Sequence, residues 1–218
     1  MHTTERPQPQ RPAYAPPILE NIPSALKALP QWLNWKLEWV EGQNGKPGRW
    51  SKTPYQSKHL SLRAKSTDPS TWATFEEAVD AYRHTNQDAP WISKAQALDG
   101  IGIALHADNG IVALDYDHCL KDGRLDDEIL AELTELGPYV ELSPSGKGIR
   151  AFMRSTLPEG HHNNNQKGFE VYNFSRYLTV TGHALDGFPR EVPVVADDIL
   201  KALHDYHFAD RIAEDREG

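Results

Sequence analysis

The sequence predicts an α+β protein built on a mixed, largely antiparallel sheet. Short apolar or alternating segments, which are typical of strands, outnumber helical segments and are partly joined by short turns rich in glycine and asparagine. Helical spacing of apolar residues appears over 71–84, over 125–137 and from about 196 to 206. Strands arranged in hairpins, with a few helices packed on them, are typical of the α+β class.

Particular segments justify each element. Residues 31–40 alternate between two faces, and the turn 42–48 leads to a second strand that ends near Pro54. Asp68 is the predicted N-cap of the first helix, and Gly137 is predicted to end the second. Asn109-Gly110 predicts a hairpin between strands 100–106 and 110–117. Three further strands are predicted to start near Gly148, Lys167 and Ser175.

Composition limits the class of protein. The chain has 218 residues, 39% of them hydrophobic, which suits one compact domain. We expect a cytoplasmic protein without membrane contact, since no run approaches the roughly 18 apolar residues of a span and the start lacks a secretory signal. Cys119 is the single cysteine and cannot form an internal disulfide. We also expect a disordered, proline-rich arm over 1–18 and a frayed tail over 208–218.

Charge is segregated along the chain. The formal net charge of −8 argues against coating nucleic acid by bulk electrostatics, but residues 42–67 contain six basic residues and no acid. Residues 143–158 are also basic and lack acids. The sequence therefore predicts local basic surfaces on an acidic average.

Two aspartates end an apolar strand. Asp115 and Asp117 follow the run 111–114, and residues two apart in a strand share a face, so the two carboxylates are presented together. A hard divalent cation such as Mg²⁺ or Mn²⁺ would offset their repulsion. Solvated acids at a strand end are the alternative interpretation, because the D-x-D pattern is common.

A loop and a third acid strengthen the metal hypothesis. Residues 143–148 read SPSGKG, in which glycine backbone, hydroxyls and Lys147 are suited to hold phosphate, although the Walker spacing is absent. Glu170 lies in an otherwise apolar strand and shares a face with Tyr172. Three carboxylates that hold two cations beside a phosphate loop would suit phosphoryl or nucleotidyl transfer.

Taken as a set, these motifs resemble a known family. The set comprises WLNWK (32–36), KTPY (52–55), STDPSTW (66–72), GIGI (100–103), DYDHC (115–119), SPSGKGIR (143–150), EVY (170–172) and RYLTVTG (176–182). In this order they resemble the primase-polymerase domains of the archaeo-eukaryotic primase superfamily, found in replication proteins of phages, plasmids and other mobile elements. The resemblance covers roughly residues 22–203.

The resemblance implies a fold and an activity. It implies an RRM-like catalytic core, about 96–207, packed against an N-terminal α/β unit, about 19–95. It also implies a DNA primase and/or polymerase that uses two Mg²⁺ or Mn²⁺ ions, NTP or dNTP, and a single-stranded DNA template or primer. A helicase domain or protein is a candidate partner, because family members often continue into further domains.

The resemblance also assigns site residues. It places Asp115, Asp117 and Glu170 as catalytic metal ligands, and Lys52 and Tyr55 at the template or nucleotide. The basic stretch 42–67 adds Arg63 and Lys65 to the predicted template-binding set. The nucleotide-binding set that the resemblance implies consists of Ser143, Ser145, Gly146, Lys147, Gly148, Arg150, Tyr172, Arg176 and Tyr177. Arg150 stands where the family commonly has a histidine, so phosphate binding is retained by an always charged group, whereas proton transfer is not. We expect Trp32 and Trp35 in the core.

Two other functions remain open from the sequence. The acidic average and Arg150 also suit a non-catalytic nucleic-acid-binding module of a replication initiator. A D-x-D glycosyltransferase that uses a nucleotide sugar would share the metal chemistry, but no doubly wound sheet is recognisable before the motif.

Overall fold

The computed structural model describes residues 9–43, 46–88 and 97–217, with the backbone alone for 213–217. The helices are α1 (Ser24–Lys27), α2 (Phe75–Arg83), α3 (Asp127–Leu136) and α4 (Asp197–Glu217). The strands are β1 (Trp32–Val40), β2 (Arg49–Tyr55), β3 (Gly100–Ala104), β4 (Ile111–Tyr116), β5 (Leu120–Lys121), β6 (Arg124–Leu125), β7 (Tyr139–Leu142), β8 (Ile149–Arg154), β9 (Asn163–Asn164), β10 (Phe169–Tyr172) and β11 (Tyr177–Val180). None of the helices in these ranges combines the length and apolar character needed to cross a bilayer.

Within the described residues, the strands form two main sheets and a small hairpin. The first sheet has the order β11-β3-β1-β2, the second has the order β7-β8-β4-β10-β9, and β5 pairs with β6. Pairing between these strands is antiparallel. The predicted α+β class is therefore confirmed, and so is the core placement of Trp32 and Trp35, both of which are buried.

Strand β4 is central in the second sheet and has two different faces. Val112 and Leu114 pack in a core with residues of α3 and α4. Ile111 and Ala113 point the other way, into a core shared with the first sheet. Because side chains alternate along a strand, Asp115 continues the face that bears Ile111 and Ala113. The acid is thus directed between the two sheets.

The predicted hairpin between strands 100–106 and 110–117 is wrong. Strand β3 pairs with β1 and β11 in the first sheet, whereas β4 belongs to the second. Between them, Ala107–Asn109 form a 3-10 helix, and Gly110, with φ of 66°, ends it. Asn-Gly supplies the left-handed residue that ends this short helix, a role that is as compatible with the dipeptide as a hairpin turn.

The N-terminus of α2 also differs from the prediction. Asp68 caps a 3-10 helix, Pro69–Thr71, by accepting a hydrogen bond from the Ser70 amide. The α-helix begins at Phe75, where Thr74 and Glu77 form a reciprocal capping box. The T-x-x-E signature therefore determines this helix start.

Part of the predicted disordered arm packs on the fold. Arg11 forms an ion pair of 2.6 Å with Asp99, and the Tyr14 ring lies 5.9 Å from the ring of Trp35. The Ile18 amide donates to a carbonyl just after β11. Residues 11, 14 and 18 of the predicted arm thus contact the fold, and residues 1–8 lie outside the described residues.

The C-terminal helix and the sheets cross the predicted boundaries. Helix α4 runs from Asp197 to Glu217, so the predicted frayed tail is helical as far as it is described, and Phe208 is fully buried. Strands β3 and β11 follow residue 95, yet both belong to the first sheet with β1 and β2. The sheet pairing thus cuts across the predicted division at residue 95.

Candidate functional site

A row of polar residues crosses the second sheet. Asp115 on β4 lies opposite Arg150 on β8 and opposite Glu170 on β10. Glu141 on β7 extends the row beyond Arg150, and Asn163 on β9 extends it beyond Glu170. Directly opposed residues of antiparallel strands share a face at close range. We call these five residues the polar row.

Arg150 forms an ion pair with the central aspartate. Its Nη2 lies 3.2 Å from Asp115 Oδ2, and the two side chains are only 6% and 13% exposed. Its Nη1 donates to the hydroxyl of Thr179 on β11 and, at 3.4 Å, to the carbonyl of the same residue. Asp115 Oδ1 is buried and has no hydrogen-bond partner among the described residues. One carboxylate oxygen of Asp115 is therefore paired with Arg150, and the other has no hydrogen-bond donor among the described residues.

Glu170 lies in a mixed electrostatic environment. Burial raises the pKa of its carboxyl, Asp115 and Asp117 raise it further, and Arg176 opposes them. The Asn163 amide donates a hydrogen bond to its Oε1. Burial is the main cause of the raised pKa and the neighbouring acids add to it, so an added cation would relieve part of the cost of charging this carboxyl.

An open cavity of about 170 Å³ lies between the two sheets, above the polar row. Its lining consists of Lys52, Asp115, Arg150, Glu170, Tyr172, Arg176, Tyr177, Leu178 and Thr179. We call it the cleft. Its volume is below the roughly 300–1,000 Å³ of pockets for drug-sized ligands, so it suits part of a larger ligand, such as a phosphate chain.

Lys52 enters the cleft from the first sheet. Burial and the charge of Arg150 lower the pKa of its amine to about 8, although Asp115 and Asp117 raise it. The Tyr177 hydroxyl donates to the carbonyl of Lys52, which ties β11 to β2 at the cleft.

Arg176 and Tyr172 form a second polar pair in the cleft. The Arg176 guanidinium donates to the Tyr172 hydroxyl at 2.8 Å and lies 4.6 Å from the centre of the ring. Of the predicted nucleotide-binding residues, Arg150, Tyr172, Arg176 and Tyr177 therefore line one cavity.

The predicted phosphate loop lies beside the cleft and does not line it. Residues 143–148 form the turn between β7 and β8, closed by a 2.8 Å hydrogen bond from the Ser143 amide to the Gly148 carbonyl. The Gly146 amide donates to Ser143, and the Lys147 amide donates to the Ser145 hydroxyl at 3.3 Å. Two backbone donors predicted for phosphate are thus used within the loop.

A close backbone contact fixes the end of this loop. A Cβ on Gly148 would lie 2.4 Å from the Tyr116 carbonyl oxygen, so the loop packs directly on the end of β4 beside Asp117. Asp117 itself is exposed, one residue beyond β4, and its amide donates to Gly168.

The predicted three-carboxylate cluster is not assembled. Asp115 and Glu170 line the cleft, whereas Asp117 does not. In the ranges that the structure describes, no three acidic, histidine or cysteine side chains are close enough to hold a metal ion. The uncompensated Asp115 Oδ1 and the raised pKa of Glu170 do fit a hard cation. Asp115 and Glu170 are therefore the two carboxylates that a cation in the cleft would meet.

The predicted template residues are divided between two faces. Lys52 and Tyr55 are three residues apart on β2, and alternation points them to opposite faces. The Tyr55 hydroxyl and Arg63 both bind the carboxylate of Glu38, away from the cleft. Lys65 is exposed, and its backbone carbonyl accepts the indole N–H of Trp72.

Glu141 is a residue that the sequence did not single out. It is fully buried, which raises its pKa, and it accepts hydrogen bonds from the amides of Thr181 and Gly182 and from the Tyr139 hydroxyl. These contacts join β7 to the segment after β11, and hence the second sheet to the first. Thr179 and Asn163 were missed as well, because the pairings that bring them to the polar row are not local.

Comparison with known proteins finds a similar phage protein. No family model matches the sequence. Over 179 residues the chain is 31% identical to a protein of Nitratiruptor phage NrS-1 described as a DNA primase-polymerase. The chain is similar to a phage primase-polymerase. The alignment covers 78% of this chain and 22% of the relative, so the chain spans about a fifth of the phage protein. The similarity supports the resemblance inferred from the motifs.

Proposed function

We propose that the protein is a DNA primase and/or polymerase that transfers nucleotides from NTP or dNTP onto a 3′-hydroxyl, or onto a first nucleotide, along single-stranded DNA. The observation that carries the proposal is the cleft, in which two carboxylates of the polar row adjoin three cationic side chains. Similarity to the phage primase-polymerase supports it independently. During replication of a phage or other mobile element, a helicase would supply the single-stranded DNA template.

The residues divide by charge. Asp115 and Glu170 would hold Mg²⁺ or Mn²⁺, with Asp117 at the edge of the site. When bound, the metal ions supply activation of the attacking oxygen and neutralisation of charge on the leaving pyrophosphate. Lys52, Arg150 and Arg176 bind and orient the triphosphate, because an anion in the cleft meets all three.

Arg150 has a double role in this proposal. It neutralises Asp115 in the free protein, and the same guanidinium is suited to bidentate binding of a phosphate. Binding of the triphosphate would therefore exchange one anionic partner of Arg150 for another and would leave Asp115 available to hold a cation.

A non-catalytic nucleic-acid-binding module is the second candidate. The observation that favours it is the neutralisation of Asp115 by Arg150, together with the absence of a three-ligand metal group from the described residues. The glycosyltransferase alternative has no such support, because the main sheets in the described ranges pair antiparallel and are not doubly wound.

One experiment separates the two candidates. The protein is mixed with single-stranded DNA, labelled nucleotides and Mn²⁺, and both DNA binding and nucleotide incorporation are measured. Incorporation that EDTA abolishes, and that falls in Asp115→Asn but not in the exposed control Asp122→Asn, supports the enzyme. Equal DNA binding with and without metal, and no incorporation, supports the binding module.

A further inference from the structure

Two tryptophans lie beside the cleft on the β1–β2 hairpin. In its register Trp39 is opposite Trp50, and the pair on the same face one step along is Leu37 and Lys52. Residues two apart on a strand share a face and are separated by roughly 7 Å. Because Lys52 lines the cleft, the tryptophan pair is one row away from it, on the same face of the hairpin.

The two indoles form a partly exposed aromatic surface. Their ring centres are 5.6 Å apart with an interplanar angle of 67°, an edge-to-face arrangement, and both side chains are partly exposed. Gly48 supports the Trp39 ring, since a Cβ at that glycine would lie 2.4 Å from Cζ2 of the indole. The rings are therefore held in place while part of each is open to solvent.

The core tryptophans behave differently. The indole N–H groups of Trp32 and Trp35 donate to the backbone carbonyls of Leu26 and Ile101, and both rings are buried. The indole nitrogen of Trp50 is also shielded from solvent but has no hydrogen-bond partner among the described residues. A buried N–H without a partner is uncommon in folded proteins.

The charge near the pair is positive. Lys46 is exposed in the turn of the same hairpin, Lys52 follows in the cleft, and Arg49 is exposed on the opposite face. The sequence from 42 to 67 contains no acidic residue. Aromatic rings beside a basic track are the combination that binds single-stranded nucleic acid, by base stacking and phosphate contacts together.

We propose that Trp39 and Trp50 form a stacking site for bases of single-stranded DNA next to the cleft, with Lys46 of the adjoining turn on its phosphates. The proposal rests on the proposed function, because it names where the template is gripped. The sequence-based template set did not include either tryptophan, and the structure turns Tyr55 and Arg63 of that set away from the cleft.

The test measures DNA affinity and stability together. Fluorescence anisotropy with labelled dT12 at 50 and 200 mM salt gives the affinity, and thermal melting reports the fold. We expect Trp50→Leu and Trp39→Leu to weaken binding about 5- to 100-fold, the range expected for loss of one stacked base. Trp50→Phe retains a ring and should bind more tightly than Trp50→Leu. The control Tyr206→Leu removes an exposed aromatic on α4 and should leave affinity unchanged.

The outcomes separate this inference from the proposed function. If the wild-type protein does not bind dT12, the proposed function fails and the stacking site fails with it. If the wild-type protein binds dT12 and the leucine variants bind equally well, the stacking site alone is refuted. If the leucine variants melt at a lower temperature than the wild-type protein, affinity for dT12 is compared between Trp50→Phe and Trp50→Val instead. Equal affinity of these two variants would show that the pair only stabilises the hairpin.

Discussion

Replacing Arg150 with methionine tests the electrostatic account of the polar row. The guanidinium is almost fully buried and is paired with Asp115 at 3.2 Å. Met fills similar volume but leaves the aspartate without its cation and directly opposite Glu170. Breaking a buried pair by removing one partner costs about 3–5 kcal/mol, because a charge remains buried and uncompensated. We expect the free energy of unfolding to fall by that amount in urea titrations at pH 7.

A second substitution and a matched control make this prediction specific. Adding Asp115→Asn to Arg150→Met removes the stranded charge and should recover about half of the loss or more. Arg154→Met, on the same strand, removes a guanidinium whose hydrogen bond among the described residues goes to the neutral Asn109 carbonyl, and should cost about 1–2 kcal/mol. A loss below about 1 kcal/mol for Arg150→Met, or no recovery in the double variant, would refute the reasoning.

Three further predictions follow from single contacts. Burial lowers the pKa of Lys52 to about 8, so the side chain loses its charge as pH rises through 8. The affinity for nucleotide should therefore fall roughly tenfold from pH 7 to 9. In the Lys52→Arg variant the affinity should not fall over this range, because arginine stays charged. Burial alone would raise the pKa of Glu132, but the hydrogen bonds from His207 and Tyr116 lower it below its usual value. The ionised carboxylate therefore stabilises the fold above the usual carboxyl pKa, and this stabilisation is lost as pH falls. Wild-type protein should therefore lose about 1–2 kcal/mol more than Glu132→Gln between pH 6 and 3, measured by urea unfolding. Gly182 has φ of 67°, and a Cβ there would lie 2.1 Å from the Ile18 carbonyl oxygen, so Gly182→Ala should destabilise the fold by about 2 kcal/mol or more; unchanged melting would contradict the packing of residues 9–18.

Local patterns predicted much of the site. Alternation placed Asp115 on the face opposite to Leu114 and Tyr116, and an acid in an apolar strand identified Glu170. Both lie in the cleft. The alternation of side chains along β2 also predicts that Lys52 and Tyr55 point to opposite faces of the sheet, because they are three residues apart.

Non-local pairings account for what the sequence missed. No local signal places Arg150 and Glu170 on either side of Asp115, since strand order in a sheet depends on contacts between distant segments. Assembly of the two sheets also brings Lys52 and Thr179 over the row. The same limitation explains the error at Asn109-Gly110, where a turn signal gave the bend but not the sheet that the next strand joins.

Metal-dependent incorporation of labelled dNTP or NTP onto a primed single strand by a Glu170→Gln variant tests the central claim most directly. Glutamine keeps the size of the side chain and an acceptor for the Asn163 amide but removes the charge that we propose holds the cation. With Mn²⁺ present, we predict activity at least about 100-fold below wild type, while affinity for dT12 stays the same. Wild-type activity in this variant, or equal incorporation by the wild-type protein in EDTA, would contradict the account.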